Sequence, residues 1–264
     1  MPVVLLMRIG RAWYLLPLAL AAVVTGGCAA GAADRPVVPV SGNELHTGTT
    51  HASPVRSNEP AVVIDRQMSP PRFEAWIEPL RGPVRDEVAD RNWHPGCPVP
   101  IPDLRVAHVR YWGFDGDVHD GPLVLNEAVV DDVVGVFRRL FRAHFPIKHI
   151  ALARKYRPNA DRWNSVRDTT ASFNCRPATD IPGSVSQHSY GWAVDINPLQ
   201  NPYVRGDGSV LRKAAKPYRD RSRHRRGIIH AGDIVVRSFA RIGWEWGGDW
   251  TTLKDYMHFS LTGR

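Results

Sequence analysis

Two short segments near the C-terminal end concentrate potential metal ligands and restrict the folds open to this chain. The first, from Ser186 to Asp195, contains His188, and the second, Asp255-Tyr256-Met257-His258-Phe259, contains His258 and a further aspartate three residues before it. For these residues to act together, the fold must bring the two segments side by side. We therefore expect the segments to lie on neighbouring elements of one domain.

Two histidines, an aspartate and a spare carboxylate form the set of groups that a catalytic zinc site requires. Such a site has three protein ligands, an open position for water, and a nearby base for the water's proton. His188, Asp195 and His258 are the candidate ligands, and Asp255 is the candidate base. Spacing alone leaves open that the histidines are ordinary core residues.

The pattern of apolar residues predicts a single α+β domain around a central antiparallel sheet flanked by helices. Helical spacing of apolar residues predicts a helix from Asn126 to Phe145, with Asn126 as its cap, and a second helix from Asp233 to Ile242. Strands are predicted at Ile147 to Leu152, Trp192 to Ile196, and Tyr256 to Leu261.

The N-terminal region predicts export. A basic start and an apolar run are followed by Thr25-Gly26-Gly27-Cys28, so residues 1–28 resemble a secretory signal. Cys28 stands where a bacterial lipoprotein signal has its lipidated cysteine, although Thr25 replaces the usual Leu; a plain cleavable signal is the alternative. Residues 29–72, rich in Pro, Ser and Thr, are predicted to be a flexible stalk, and 73–264 the folded domain.

Two cysteines remain if Cys28 carries lipid. In an exported chain, Cys97 and Cys175 are candidates for a disulfide, with two separate buried thiols as the alternative. Neither has the spacing of a metal ligand.

The formal net charge of +8 favours anionic partners in the cell envelope, such as wall polymers or lipid headgroups. No helix-turn-helix or zinc-finger pattern is present, so the sequence gives no support for nucleic-acid binding. The densest basic run, Arg219 to Arg226, is interpreted as a solvated loop in preference to a specific anion site.

The pattern Ser-x-His-x-x-Gly-x-Ala-x-Asp at residues 186–195 resembles the signature of the VanY-type D-alanyl-D-alanine carboxypeptidases. This group of zinc peptidases includes L-alanyl-D-glutamate endopeptidases and shares a fold with the hedgehog signalling domain. The resemblance extends over roughly Cys97 to Leu261 and includes the Asp255-x-x-His258 motif.

The resemblance implies one Zn²⁺ per chain, bound by His188, Asp195 and His258, with Asp255 as the general base. Some relatives carry Glu at that position, so the shorter Asp is a departure. Arg176 matches the arginine that steadies the scissile carbonyl or the substrate's carboxylate. Ser186 is a candidate for orienting the site and binding substrate, or for forming the turn.

The expected function is therefore a zinc peptidase that hydrolyses peptidoglycan stem peptides, as a D-alanyl-D-alanine carboxypeptidase in the envelope, anchored to the membrane by lipid. The alternatives are an L-alanyl-D-glutamate-type endopeptidase and a catalytically silent, zinc-containing wall-binding domain. A lysostaphin-type endopeptidase requires a His-x-His motif, which the sequence lacks.

Overall fold

The computed structural model of the chain describes residues 70–153 and 168–263. The predicted signal at 1–28, Cys28, and all but the last three residues of the predicted stalk lie outside these ranges. In the described part, no helix combines the length and apolar character needed to cross a membrane.

The first sheet is a three-stranded antiparallel meander. Strand β1 (Ala75–Pro79) pairs with β2 (Leu104–Trp112), which pairs with β3 (Val118–Asn126). The first helix, α1 (Gly82–Arg91), lies between β1 and β2 in the chain. Both faces of this sheet contribute buried residues: Ala107, Val109, Leu123 and Leu125 belong to the main core, and Leu104, Val106 and Val124 belong to a second apolar cluster.

Helix α2 (Val130–Arg142) packs against β2, but it begins four residues later than predicted. Asn126 is the last residue of β3 and pairs with Leu104, and its side chain accepts a hydrogen bond from the main-chain nitrogen of Ala128 at 3.0 Å. The asparagine therefore stabilises the turn before the helix, with Val129 at the N-cap position.

A second sheet carries the last strand of the domain. Strand β4 (Ala193–Asp195) pairs with β8 (His258–Ser260), which also pairs with β6 (Glu245–Trp246). A third sheet consists of β5 (Tyr203–Val204) and β7 (Lys254–Asp255). The α+β class and the antiparallel pairing are confirmed, but the predicted central sheet is divided into three small ones.

The predicted strand at Ile147–Leu152 is wrong. This segment has one isolated bridge, between Ile150 and Thr170, and another precedes it, between Trp112 and Pro146, but neither extends into a continuous ladder. Its apolar side chains are nevertheless part of the core, with Ile147 and Ile150 fully buried. Burial explains the apolar pattern without strand pairing.

Helix α3 (Ile234–Ala240) supports the second sheet, and its predicted position is confirmed to within two residues at its C-terminal end. Asp233 caps it by accepting hydrogen bonds from the main-chain nitrogens of Val235 and Val236. The ring centroids of Phe239 on this helix and Phe259 on β8 are 4.2 Å apart. This stacking fixes β8 in the core beside His258.

Cys97 and Cys175 form a disulfide across a sequence separation of 78 residues. Cys175 belongs to a second apolar cluster, in which Leu80, Val88, Val99 and Phe173 are also buried. The cross-link therefore ties the segment after α1 to the chain that precedes Arg176.

Gly191 is required by both its conformation and its surroundings. Its φ is +70°, and an added Cβ would lie 2.5 Å from the main-chain nitrogen of Asn126. Because that contact is with backbone, we expect Gly191→Ala to lower the free energy of unfolding by about 2 kcal/mol or more. Chemical denaturation of the variant measures this.

Gly232→Ala is the matched control for that substitution. Gly232 has nearly the same φ, +72°, but no heavy atom within 4 Å of an added Cβ. The free energy of unfolding of Gly232→Ala should fall by about 1 kcal/mol, which is the cost of placing a residue with a Cβ in a left-handed conformation. Equal losses in the two variants would show that the Asn126 contact is unimportant.

Candidate metal centre and adjoining pocket

His188 is held in a short 3₁₀ helix, Gln187–Tyr190, that begins after Ser186 and ends at Gly191. The Ser186 hydroxyl accepts a hydrogen bond from the main-chain nitrogen of His188, so this serine forms the turn that carries the histidine. The ring is buried, and its Nδ1 lies 2.6 Å from the carbonyl oxygen of Ser172.

That carbonyl fixes the tautomer of the neutral His188 ring. Since a carbonyl oxygen can only accept, Nδ1 must carry the proton and donate it, which leaves a lone pair on Nε2. The Ser172 carbonyl is itself well placed, because its neighbour Ala171 exchanges two main-chain hydrogen bonds with Asp195. Such outer hydrogen bonds orient metal-binding histidines in proteins.

Asp195 and His258 lie directly opposite each other on β4 and β8. Nδ1 of His258 is 3.1 Å from Oδ1 of Asp195, and Nε2 of His188 is 3.1 Å from the same oxygen. The centroids of the two imidazole rings are 5.1 Å apart, and the ring planes are inclined to each other by 60°. Ligand atoms of all three residues lie within 4.8 Å of one another, so the group could hold a metal ion.

The chemistry of these atoms fits a cation. Nε2 of His188 is buried and has no hydrogen-bond partner in the described ranges, although it faces a carboxylate oxygen. In a neutral ring that nitrogen would present a lone pair to the oxygen, an unfavourable contact that a proton or a metal ion between them relieves. Burial by itself would raise the pKa of Asp195, but the positive charges of His188 and His258 hold that pKa well below its usual range.

Asp255 lies beside this group without being part of it. It ends β7, and its Oδ1 is buried without a hydrogen-bond partner in the described part of the chain. Burial, followed by the repulsion of Asp195, raises the pKa of Asp255 to about 7, against the positive charges of His258, Arg176 and Arg212. A carboxyl group with that pKa can both take up and release a proton near neutral pH.

Both Asp255 and His258 line a pocket of about 420 Å³. Arg176 and Ser186 line it as well, so the structure brings the candidate substrate-binding residues to the candidate metal centre. Arg176 is steadied at its main chain, where its nitrogen donates to Oγ of Ser189 at 2.9 Å. Its guanidinium donates to the Pro177 carbonyl and to Oγ1 of Thr179.

Other pocket residues were not among the candidates predicted from the sequence. Tyr203 pairs with Asp255 across β5 and β7, and Trp250 also lines the pocket. Five further lining residues belong to a hairpin that spacing alone does not reveal: Ala178, Thr179, Ile181, Ser184 and Val185.

The interpretation of Arg219–Arg226 as a solvated loop is wrong for Arg221. Its half-buried guanidinium lies over the ring of Tyr256 at 4.4 Å and donates to the carbonyls of Gln200, Tyr218 and Ile229 and to Oδ1 of Asn201. Arg221 thus links the chain after Asp195 to the residue next to Asp255.

Comparison with known protein families supports the resemblance found in the sequence. The family model described as D-alanyl-D-alanine carboxypeptidase matches residues 180–261. The matched segment contains His188, Asp195, Asp255 and His258, so the resemblance to this peptidase family is confirmed over the part of the chain that forms the candidate site. No solved structure matches the chain.

Proposed function

From this family match, we propose that the chain is a zinc-dependent peptidase that hydrolyses peptidoglycan stem peptides, as a D-alanyl-D-alanine carboxypeptidase. The observation that carries the proposal is the convergence of His188, Asp195 and His258 on one point, with Asp255 beside them in the same pocket. The buried Nε2 of His188, which faces a carboxylate oxygen of Asp195 at 3.1 Å, is placed where a metal ion can join the two.

Zinc is the metal that this ligand set favours. Two imidazole nitrogens and one carboxylate oxygen are ligands typical of catalytic zinc sites, which keep a further position open. When bound, zinc supplies Lewis-acid chemistry, polarising the peptide carbonyl and lowering the pKa of water. Nε2 of His188, a carboxylate oxygen of Asp195 and Nδ1 of His258 would hold it.

Asp255 supplies the proton transfers. Its buried carboxylate, which is not one of the proposed metal ligands, accepts a proton from the attacking water and returns it to the leaving amine. Its position outside the ligand group leaves it available for this role.

Arg176 supplies positive charge from the hairpin side of the pocket. A guanidinium can donate two parallel hydrogen bonds to a carboxylate or to an oxyanion. In a carboxypeptidase it would bind the terminal carboxylate of the substrate or stabilise the tetrahedral oxyanion.

The cell envelope is the proposed location. The sequence resembles an exported lipoprotein at residues 1–28, and the net charge of +8 suits an anionic wall. We propose that lipid on Cys28 anchors the protein with its folded domain facing the peptidoglycan.

A direct test is to incubate the purified protein with stem pentapeptide that ends in D-Ala-D-Ala, and to identify the products by mass spectrometry. We expect loss of a single alanine, abolished by a chelator and restored by zinc. An internal cut would instead identify an endopeptidase and the bond it cleaves. No product from folded, zinc-loaded protein would contradict a peptidase and favour a wall-binding domain.

A further inference from the structure

The pocket beside Asp255 lies between two separate segments of the chain. One wall is the β-hairpin formed by residues 176–186. Its strands are joined by main-chain hydrogen bonds from Ser186 to the Arg176 carbonyl and from Ala178 to the Ser184 carbonyl, at 3.1 and 2.9 Å. Its tip is a turn in which Pro182 is followed by Gly183 at φ +77°. We call residues 176–186 the hairpin wall.

The opposite wall includes Tyr203 and Asp255, which face each other on β5 and β7. Arg205 follows β5 directly, and its main chain is fixed on both sides. Its nitrogen donates to the Ser209 carbonyl at 2.9 Å, and its carbonyl accepts from Gly208 at 2.8 Å. Arg205 is therefore attached to a turn of defined geometry.

An ion pair connects the hairpin wall to this turn. Nε of Arg205 donates to Oδ2 of Asp180 at 2.8 Å. Thr179 and Ile181, on either side of Asp180, line the pocket, as does Tyr203, two residues before Arg205. The pair therefore joins the walls at positions adjacent to the residues that would contact a peptide.

The backbone of Asp180 is suited to this contact. Its φ is +57°, a left-handed conformation that aspartate and asparagine tolerate better than most residues. This conformation is part of the hairpin tip that presents the carboxylate to Arg205.

We propose that the Asp180–Arg205 ion pair is a specificity-determining tie, which fixes the spacing of the two pocket walls and so sets the affinity for the peptide substrate. Asp180 and Arg205 are positioning residues, since neither lines the pocket. The proposal rests on the proposed peptidase function and goes beyond it by identifying what controls the width of the substrate pocket.

The effect of the tie is limited to binding. The base of the hairpin wall is held independently, by the Ser186–Arg176 hydrogen bond and by Ser189, whose Oγ accepts from the main-chain nitrogen of Arg176. Loss of the ion pair should therefore loosen the tip while Arg176 and Asp255 keep their positions. The side chains of Arg205 and Asp180 are 40% and 39% exposed. An ion pair this exposed changes a binding equilibrium by up to about fivefold.

Asp180→Asn removes the charge and keeps a residue that tolerates the left-handed backbone. With the stem pentapeptide, we expect KM to rise about three- to fivefold while kcat stays within about twofold. Arg205→Gln should have the same effect, the double variant no more than either single one, and Arg205→Lys should retain most of the affinity. About 1 M salt should raise the wild-type KM to the variant value.

Arg223→Gln is the matched control, because it breaks the exposed ion pair between Arg223 and Asp220. Neither residue of that pair lines the pocket. Its KM should equal that of the wild type. An unchanged KM in Asp180→Asn, or additive effects in the double variant, would overturn the tie.

A readout without catalysis separates this proposal from the proposed function. Hydrogen exchange at the Ala178 amide, which bonds across the hairpin wall, should be faster in Asp180→Asn than in wild type or Arg223→Gln. A wild-type protein that cleaves no stem peptide would contradict the proposed function, while equal exchange rates in all three proteins would contradict the tie.

Discussion

Asp255→Asn should reduce kcat about 10³-fold while the protein keeps its full affinity for zinc. The amide has nearly the shape of the carboxyl group but cannot accept the proton of the attacking water, and positioned acid–base groups contribute about 10²- to 10⁴-fold to rates. Zinc affinity should be unchanged because Asp255 lies outside the group formed by His188, Asp195 and His258. Steady-state kinetics on the stem pentapeptide and a competitive zinc titration measure the two quantities.

Asp249→Asn is the control, since Asp249 is an exposed aspartate of the 3₁₀ helix that precedes β7. It should have wild-type activity. If Asp255→Asn also kept near-normal rates, Asp255 would not be the general base. A wall-binding domain without activity would show no rate for either protein.

Asp255→Asn should also change how the stability of the metal-free protein depends on pH. Because burial raises the pKa of Asp255 to about 7 from an ordinary value of 3.8, the folded state binds a proton that the unfolded state has released between these values. Wild-type stability should therefore fall, relative to Asp255→Asn, as pH rises from about 4 through 7. Thermal melts of both metal-free proteins across this range provide the comparison.

The parts of the site that could be predicted from the sequence depend on local geometry. Ser186, His188 and Gly191 occupy one turn, so the placement of this histidine depends only on residues close to it in the chain. Asp195 follows on a short strand, and the only long-range contact required was the pairing of that strand with β8. Family resemblance added Arg176, whose place in the pocket follows from a hairpin base joined to Ser186.

Features that depend on distant packing could not be predicted. Asn126 carries a good helix-capping side chain, but its pairing with Leu104 keeps it in β3 and delays α2. Arg221 belongs to a run of exposed arginines, yet carbonyls and a tyrosine ring contributed by other segments surround its guanidinium. In both cases a contact partner distant in the chain overrides the local preference.

The divided sheet has a similar cause. Strands β4 to β8 have two or three residues each, too short for alternation of polar and apolar residues to define a continuous sheet. Their positions instead depend on buried aromatic contacts such as Phe239 with Phe259. The fold class was therefore predictable, whereas the number of sheets was not.

His188→Ala should abolish zinc binding at micromolar concentrations and, with it, activity. Loss of an outer hydrogen-bond partner alone weakens metal sites about 10- to 100-fold, so loss of a ligand should cost more than about 100-fold. Without Nε2 of His188, only Asp195 and His258 remain of the group that could hold the ion. Zinc content after dialysis and a chelator competition assay measure the loss, and zinc should no longer raise the melting temperature of the variant.

His149→Ala is the control for that loss, because the His149 residue is exposed. Its hydrogen bond with the Thr170 nitrogen uses the main-chain carbonyl of residue 149, which the substitution keeps. It should bind one zinc ion with wild-type affinity. If His188→Ala also did so, the three-residue centre would be wrong. We expect His188→Ala to lose zinc and Asp255→Asn to retain it, while both variants lose activity. That result would distinguish the metal ligand from the base, as expected of a hydrolytic zinc site whose base is not a ligand.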